Sequence, residues 1–414
     1  MNDSINQESA ALHPYIDSLQ RRFLVLGIIV LIPTAAGYFF DPSAQDQFFR
    51  SYLLAFTFLI GLPLGSLGIL MIHQVGGGTW GFAIRRLLEA GTRTLPLMGL
   101  LSLPILFLGL HDLYEWTHHD VVAHDEFLSH KVPYLNEPFF IIRTVIYFLI
   151  WALLVFLLNK WSEQQDQTQE THPTHRMQIL SGPGIVLFFL TATMASMDWL
   201  MSLEPHWFST IFGVIYIVGM GLLTWGFMYL VSNSLARHKP LSNILNESRR
   251  RDLGTFMLAC VMLWAYTSFS QLLIIWSANL PEEIIYFMTR LEGGWEYMGY
   301  GLLLFHFAVP FLFLISSTMK SKAKLLAAIA IGLIFMRLVD LYWIIAPSFT
   351  KIPADHGPSY HSTGFTIHWM DLAIPVGLGG ILISLFFYQL KKRPLVAQND
   401  PRFADLYDGE DNHG

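Results

Sequence analysis

The sequence predicts an all-α polytopic membrane protein with ten transmembrane helices, and three observations lead there. Of the 414 residues, 53% are hydrophobic and only 14% charged, against roughly 25% charged in a soluble domain. The apolar residues come in blocks of about 20, the length that crosses a hydrocarbon core of roughly 30 Å. Lysine and arginine are gathered between the blocks and are nearly absent from them. A water-soluble enzyme is excluded, and the formal charge of -6 with scattered basic clusters argues against nucleic acid as a partner.

In chain order, a polar segment 1–22 lacks the short apolar core and cleavage site of a signal peptide, so insertion is expected to rest on the spans themselves. The first span is 23–40. The second, 52–72, carries Gly61, Gly65 and Gly68, small residues whose spacing permits close helix approach. Segment 76–90 then leads into the third span, 95–110. It places Arg85 and Glu89, with Arg93 beyond, four apart on one helical face, which reads as a docking or capping helix at the membrane surface. Loop 111–137, with six acidic residues and five histidines, precedes the fourth span, 138–158. His118, His119 and His124 in that loop have no carboxylate–histidine spacing that would impose a metal site. The fifth and sixth spans, 179–201 and 207–231, are joined by a turn of a few residues. Spans 253–278, 295–318, 325–346 and 369–390 follow, and 391–414 is a polar tail.

Positive side chains are retained on the cytoplasmic side. One set of alternate loops and ends holds 19 of the 25 lysines and arginines, running from Arg21 to Arg402; the other holds 4, Arg50, Lys131, Arg290 and Lys351. Arg143 and Arg337 lie within spans. Both chain ends are therefore expected in the cytoplasm.

Ionised side chains at mid-bilayer cost about 2.5–3.5 kcal/mol on insertion scales, so they face the bundle interior and pair. Arg337 and Asp340 share a face of the ninth span at i,i+3, and His306 is central in the eighth. Asp198 lies near the outer end of the fifth span, Asp371 and Glu296 near the outer ends of the tenth and eighth, and Arg143 just inside the fourth. His73, Asp198, His306, Arg337 and Asp340 are candidates for a hydrated proton path, the competing reading being structural ion pairs. Arg143, Asp198 and Asp371 are an alternative quinol-binding set. For Asp371, Glu296 and Arg143, snorkelling to the interface is also open.

Cofactor chemistry has little footing. The single cysteine, Cys260, lies in an apolar span, which leaves no thiolate-held zinc, iron–sulfur cluster or covalent haem site. A bis-histidine haem needs two central histidines, yet His73, His111 and His368 are near span ends. Nucleotide-binding and zinc-protease motifs are absent.

The stretch 195–210, ASMDWLMSLEPHWFST, is the most distinctive segment. Together with Gly77-Gly78-Thr79-Trp80-Gly81 followed by Arg85-Arg86-Leu87-Leu88-Glu89-Ala90, and with 139–143, it closely resembles the NrfD-like, or polysulfide-reductase-type, membrane subunits of alternative complex III. That bacterial assembly is a quinol:cytochrome c (or direct oxidase) oxidoreductase. The resemblance runs from the first span to the tenth, and length favours the F over the C subunit.

It implies two four-helix bundles, about 52–201 and 207–346, flanked by helices 23–40 and 369–390 in a domain spanning 23–390. It also implies electron transfer outside this chain, through iron–sulfur and multihaem cytochrome c subunits, beside a homologous NrfD-like subunit and in some assemblies a terminal oxidase. On this reading the chain sits in the bacterial inner membrane without a redox cofactor of its own. Quinol, iron–sulfur clusters and c-type haem belong to the assembly. The matching polar positions are His73, Arg143, Asp198, His306, Arg337 and Asp340. Two other readings compete: a quinol-binding anchor, which requires a cavity at the outer ends of the fourth and fifth spans, and a secondary transporter. A transporter requires discontinuous helices, for which Pro33, Pro63, Pro104 and Pro310 are the possible breaks.

Overall fold

The computed structural model describes residues 8–40, 43–168, 170–239, 241–353, 360–362, 364–397 and 399–401. Arg402 and the outer parts of both terminal segments lie outside them. Among the described residues, ten helices are long and apolar enough to cross a membrane: α1 (Glu8–Phe40), α2 (Gln47–Gly76), α3 (Arg85–Phe107), α4 (Glu137–Gln167), α5 (His172–Leu203), α6 (Phe212–Leu235), α7 (Glu247–Ala278), α8 (Trp295–Leu314), α9 (Ala323–Phe349) and α10 (Met370–Leu390). A short antiparallel ribbon, Lys351–Pro353 with Tyr360–Ser362, lies between α9 and α10.

The helices overrun the apolar blocks mainly at their polar ends. α1 starts at Glu8 instead of 23, α4 runs on to Gln167 instead of 158, and α7 starts at Glu247 instead of 253. Hydropathy marks only the lipid-crossing part, whereas extending a helix that already exists adds a hydrogen bond per residue fixed. Caps set several ends: Asn136 accepts from the Phe139 amide at 3.0 Å before α4, and Asn246 from the Arg249 amide at 3.0 Å before α7. α1, α3 and α10 carry Pro33, Pro104 and Pro375 inside helix, so these prolines do not divide their spans.

α2 is the innermost helix, with 94% of its apolar stretch buried, and α1 the least buried, at 11%. α2 packs on α5, α5 on α4, and the second group joins α6 to α7 and α9 with α8 between them. α1 lies along α10, which in turn rests on α2. The two bundles share a wall, because α2 also packs directly on α6.

Close approach in that wall depends on glycine. A Cβ at Gly65 would stand 2.2 Å from Thr224 Oγ1 and 2.7 Å from the Met220 carbonyl, a backbone atom that cannot swing away. Gly65→Leu is expected to cost on the order of 1–3 kcal/mol from overpacking, read as a lower thermal transition in detergent. Gly182→Leu, at a position with nothing within 4 Å, should leave the transition in place.

One end of the domain carries the basic loops. There Lys391 pairs with Asp17, Arg393 with Glu163, and Asp400 with Arg85, so the residues following α10 meet the start of α1 and the basic ends of α3 and α4. The beginning of the expected tail is part of the folded domain: Leu395, Val396, Ala397 and Asp400 are buried. The opposite end carries the acidic loop, folded into short helices including His119–His124 and Glu126–Lys131.

Candidate functional site

The buried charges fall into separate clusters. In the first bundle, toward the acidic-loop end, Arg143 of α4 meets Asp198 of α5 in a two-pronged bond, Nε to Oδ2 and Nη2 to Oδ1 at 2.9 Å each. Tyr134 and Tyr147 hydroxyls donate to the same carboxylate at 3.0 and 2.8 Å. The Arg143 guanidinium also donates to the Tyr134 carbonyl at 2.8 Å and lies 3.9 Å from the Tyr134 ring centroid. Arg143 therefore turns inward, and the expectation of snorkelling fails for it: a buried partner with matching fork geometry outweighs reaching the interface. Asp198, fully buried and accepting four hydrogen bonds, has the environment of a structural anion.

In the second bundle, Arg337 and Asp340 of α9 pair as their spacing predicts. Both are buried. Trp264 Nε1 of α7 donates to Asp340 Oδ2 at 3.3 Å, and Arg337 Nη2 to the Tyr216 carbonyl of α6 at 3.4 Å. His306 of α8 is fully buried with its ring 4.3 Å from that of Trp264. Neither ring nitrogen completes a hydrogen bond of normal geometry. An unsatisfied buried polar group costs roughly 1–3 kcal/mol and calls for an explanation.

The local backbone is also unusual. Leu302–Ala308, around His306, is a π-helical stretch inside α8. Pro310 has no N–H to offer the His306 carbonyl four residues back, and π turns of this kind recur at functional sites. Gly219 of α6 completes the cluster, since a Cβ there would fall 2.1 Å from Arg337 Cζ.

His73 is in neither cluster. It is buried at the basic end of α2, its ring against Trp80 and Phe82, and a Cβ at Gly81 would overlap it at 2.1 Å. Asp371 stands near the acidic-loop end of α10, accepting from Ser51 Oγ at 2.5 Å, Gln47 at 2.8 Å and the His368 amide at 2.9 Å. It too is buried and does not snorkel. It lines a cavity of about 180 Å³ with Gln47, Arg50, Tyr342 and His368, below the roughly 300–1,000 Å³ of small-molecule sites. Arg143, Asp198 and Asp371 are thus not assembled around one quinol-sized space.

Glu296, by contrast, accepts from the Gly294 amide at 2.9 Å.

Two further clusters were not anticipated. At the basic end, Arg85–Thr92 is helical but wholly buried, so the expected surface helix is instead an interior one. Arg85 Nε meets Glu89 at 3.1 Å and its Nη2 donates to Gln165 at 2.6 Å. Arg86 meets Glu89 at 2.7 Å and donates to Ser162 at 2.9 Å. Asp400 and Asp166 complete the charge balance. Arg93 misses the Glu89 carboxylate and donates Nε to the Glu89 carbonyl at 3.2 Å. At the other end, Arg290 pairs with Glu204 at 2.8 Å, and Ser348 donates to Glu204 at 2.9 Å. That fastens the α5–α6 turn to the α7–α8 connection and to the last turn of α9. Glu204 sits within the distinctive 195–210 stretch, but an acidic residue in a turn gives no sequence signal of its distant arginine.

In the acidic loop, among the described residues no three His, Cys, Asp or Glu side chains come together to hold a metal ion. Asp125 instead caps the helix Glu126–Lys131, accepting from the Phe127 and Leu128 amides at 2.9 and 3.0 Å, and pairs with His206 at 2.6 Å. Burial pushes the Asp125 carboxyl up, and the Leu128 amide and then His206 more than offset it, leaving it below its ordinary value of 3.8. A depressed carboxyl contributes stability that is present above its unfolded value and lost as pH falls through the folded one. Docking of this loop on the α5–α6 turn should therefore have the full Asp125 contribution at about pH 5, one unit over the unfolded value, and loosen in acid below it. Amide exchange across 118–131 checks this, and Asp125→Asn should remove the acid-induced change.

Compared with known proteins, the chain matches no family model and no curated protein.

Proposed function

We infer that this chain is a cofactor-free integral membrane subunit of a bacterial quinol-oxidising respiratory assembly, of the NrfD-like type, and that its second bundle handles protons. The observation that carries the proton role is the group Asp340–Trp264–His306. It combines a buried carboxylate held by Arg337, an indole that donates to that carboxylate and packs on the imidazole, and an imidazole in a π-helical turn that has no side-chain hydrogen-bond partner among the described residues and only the Met336 backbone within reach. A water between His306 and Asp340 would link the two exchangeable groups directly, since buried waters occupy sites lined by otherwise unpaired polar groups, while the Trp264 indole, a donor only, orients the carboxylate. Transfer along such a path needs groups within hydrogen-bond reach, directly or through one water.

The respiratory assignment is supported by the residues that carry the family resemblance. Arg143 with Asp198, Arg85 and Arg86 with Glu89, and Glu204 with Arg290 are all fully or nearly buried pairs, so the resembling stretches contain the charges that hold the domain together. In this reading the first bundle and basic-end cluster are scaffold. The acidic loop faces an iron–sulfur or multihaem cytochrome c subunit, a second NrfD-like subunit lies alongside in the bilayer, and the basic end with both chain ends is cytoplasmic. A terminal oxidase is a further partner where electrons pass directly to it.

Isolation of the tagged chain from its native membrane in mild detergent tests this. The expected result is co-purification with subunits showing c-type haem absorbance and non-haem iron. Recovery as a lone homo-oligomer with neither would overturn the assignment.

A further inference from the structure

A groove of about 850 Å³ opens between α3 and α4 and takes no part in the charged clusters of the bundle interiors. Its walls are apolar, formed by Leu103 and Leu106 of α3 and by Phe148, Ala152 and Phe156 of α4. Its basic end is different: Arg93, Lys160 and Arg393 line it with a single carboxylate, Glu163. Glu163 is engaged by Arg393 at 3.2 Å. Among the described residues, neither Arg93 nor Lys160 forms an ion pair. Two cations at the mouth of an apolar channel thus lack an ion-pair partner of their own, with Glu89 and Glu163 acting on Arg93 only at longer range.

Three properties select the occupant. The excess of three cations over one carboxylate in the lining calls for an anion, which a neutral quinol head does not supply. The apolar walls call for hydrocarbon behind that anion. The length leaves room for acyl chains: the lining runs from Arg93 to Leu106 along α3, about 20 Å of helix, and from Thr144 to Glu163 along α4, about 28 Å. We propose that this groove is a binding site for an anionic diacyl phospholipid, its phosphate held by Arg93 and Lys160 at the basic end and its acyl chains laid between α3 and α4. Basic pockets between transmembrane helices recognise anionic headgroups in this way. The proposal is independent of the respiratory assignment.

The test is native mass spectrometry of the purified, delipidated protein, in its assembly where one is recovered, titrated with phosphatidylglycerol or phosphatidylcholine. The expected result is one retained phosphatidylglycerol, at least about fivefold tighter than phosphatidylcholine, a difference of ~1 kcal/mol. The double variant R93Q/K160Q should lose that preference. Ala152→Phe, which fills the groove without touching a charge, should lower retention of both lipids. Lys160→Gln alone, on the exposed rim, replaces the double variant should that one fail to fold. Inorganic phosphate at the same concentration should not compete. Equal retention of the two lipids, variants that bind as wild type, displacement by phosphate, or crosslinking of a cysteine at 152 to a neighbouring subunit's helix would each overturn the proposal.

Discussion

Replacing Arg143 by methionine should destabilise the domain by about 3–5 kcal/mol, the usual cost of leaving one partner of a buried ion pair uncompensated. Asp198 would keep its two tyrosine donors but lose both guanidinium bonds and its countercharge. Two comparisons separate charge from packing. Arg143→Lys keeps the charge without the fork, and should fall between wild type and Arg143→Met. The double variant R143M/D198L removes both charges and should be more stable than the single one, because the stranded anion is gone. Thermal unfolding in detergent, followed by tryptophan fluorescence, reads all three. A single variant within about 1 kcal/mol of wild type, in the range of an exposed surface pair, would show that the pair is not the buried structural tie described here.

The second large effect is expected from Gly219→Val in α6. Its Cβ would occupy the place of the Arg337 guanidinium, at 2.1 Å from Cζ and 2.4 Å from Nη1. The arginine end can move, and moving takes it away from Asp340. The expected outcome is a folded protein, destabilised by roughly 1–3 kcal/mol, in which Asp340 has lost its charge partner; on the proposed function, quinol oxidation by the assembly then slows. Arg337→Leu should give the same functional loss with a larger drop in stability, since nothing then balances Asp340. Gly221→Val, where Cys260 Sγ is 3.6 Å from the added Cβ, is the neighbouring control and should retain activity.

How far the sequence carries these conclusions differs by element. The ten spans follow from hydropathy alone, because each block is long enough to cross the core, and Arg337 with Asp340 follows because i,i+3 partners share a face. Arg143 and Asp198 are 55 residues apart, so their charges are visible in the sequence and their pairing is not. The segment 85–93 has the periodicity of an amphipathic surface helix. It is buried because Asp166 and Asp400, from α4 and from beyond α10, supply the countercharges, which no local pattern announces. His306 is readable as a central histidine, whereas its stacking on Trp264 and the widened turn before Pro310 arise only once α7 and α8 are packed. Gly219 was invisible for a related reason: a glycine in an apolar helix reads as packing, and what it makes room for here is a guanidinium.

The proton-to-electron ratio of the purified assembly in sealed proteoliposomes is the decisive quantity, measured as proton movement during quinol oxidation for wild type, Asp340→Asn and His306→Phe. If the second bundle moves protons, both variants will still pass electrons when the proton gradient is collapsed, and their ratio will fall relative to wild type. Ratios equal to wild type in two folded, fully assembled variants would contradict the account and leave the Asp340–Trp264–His306 group as packing.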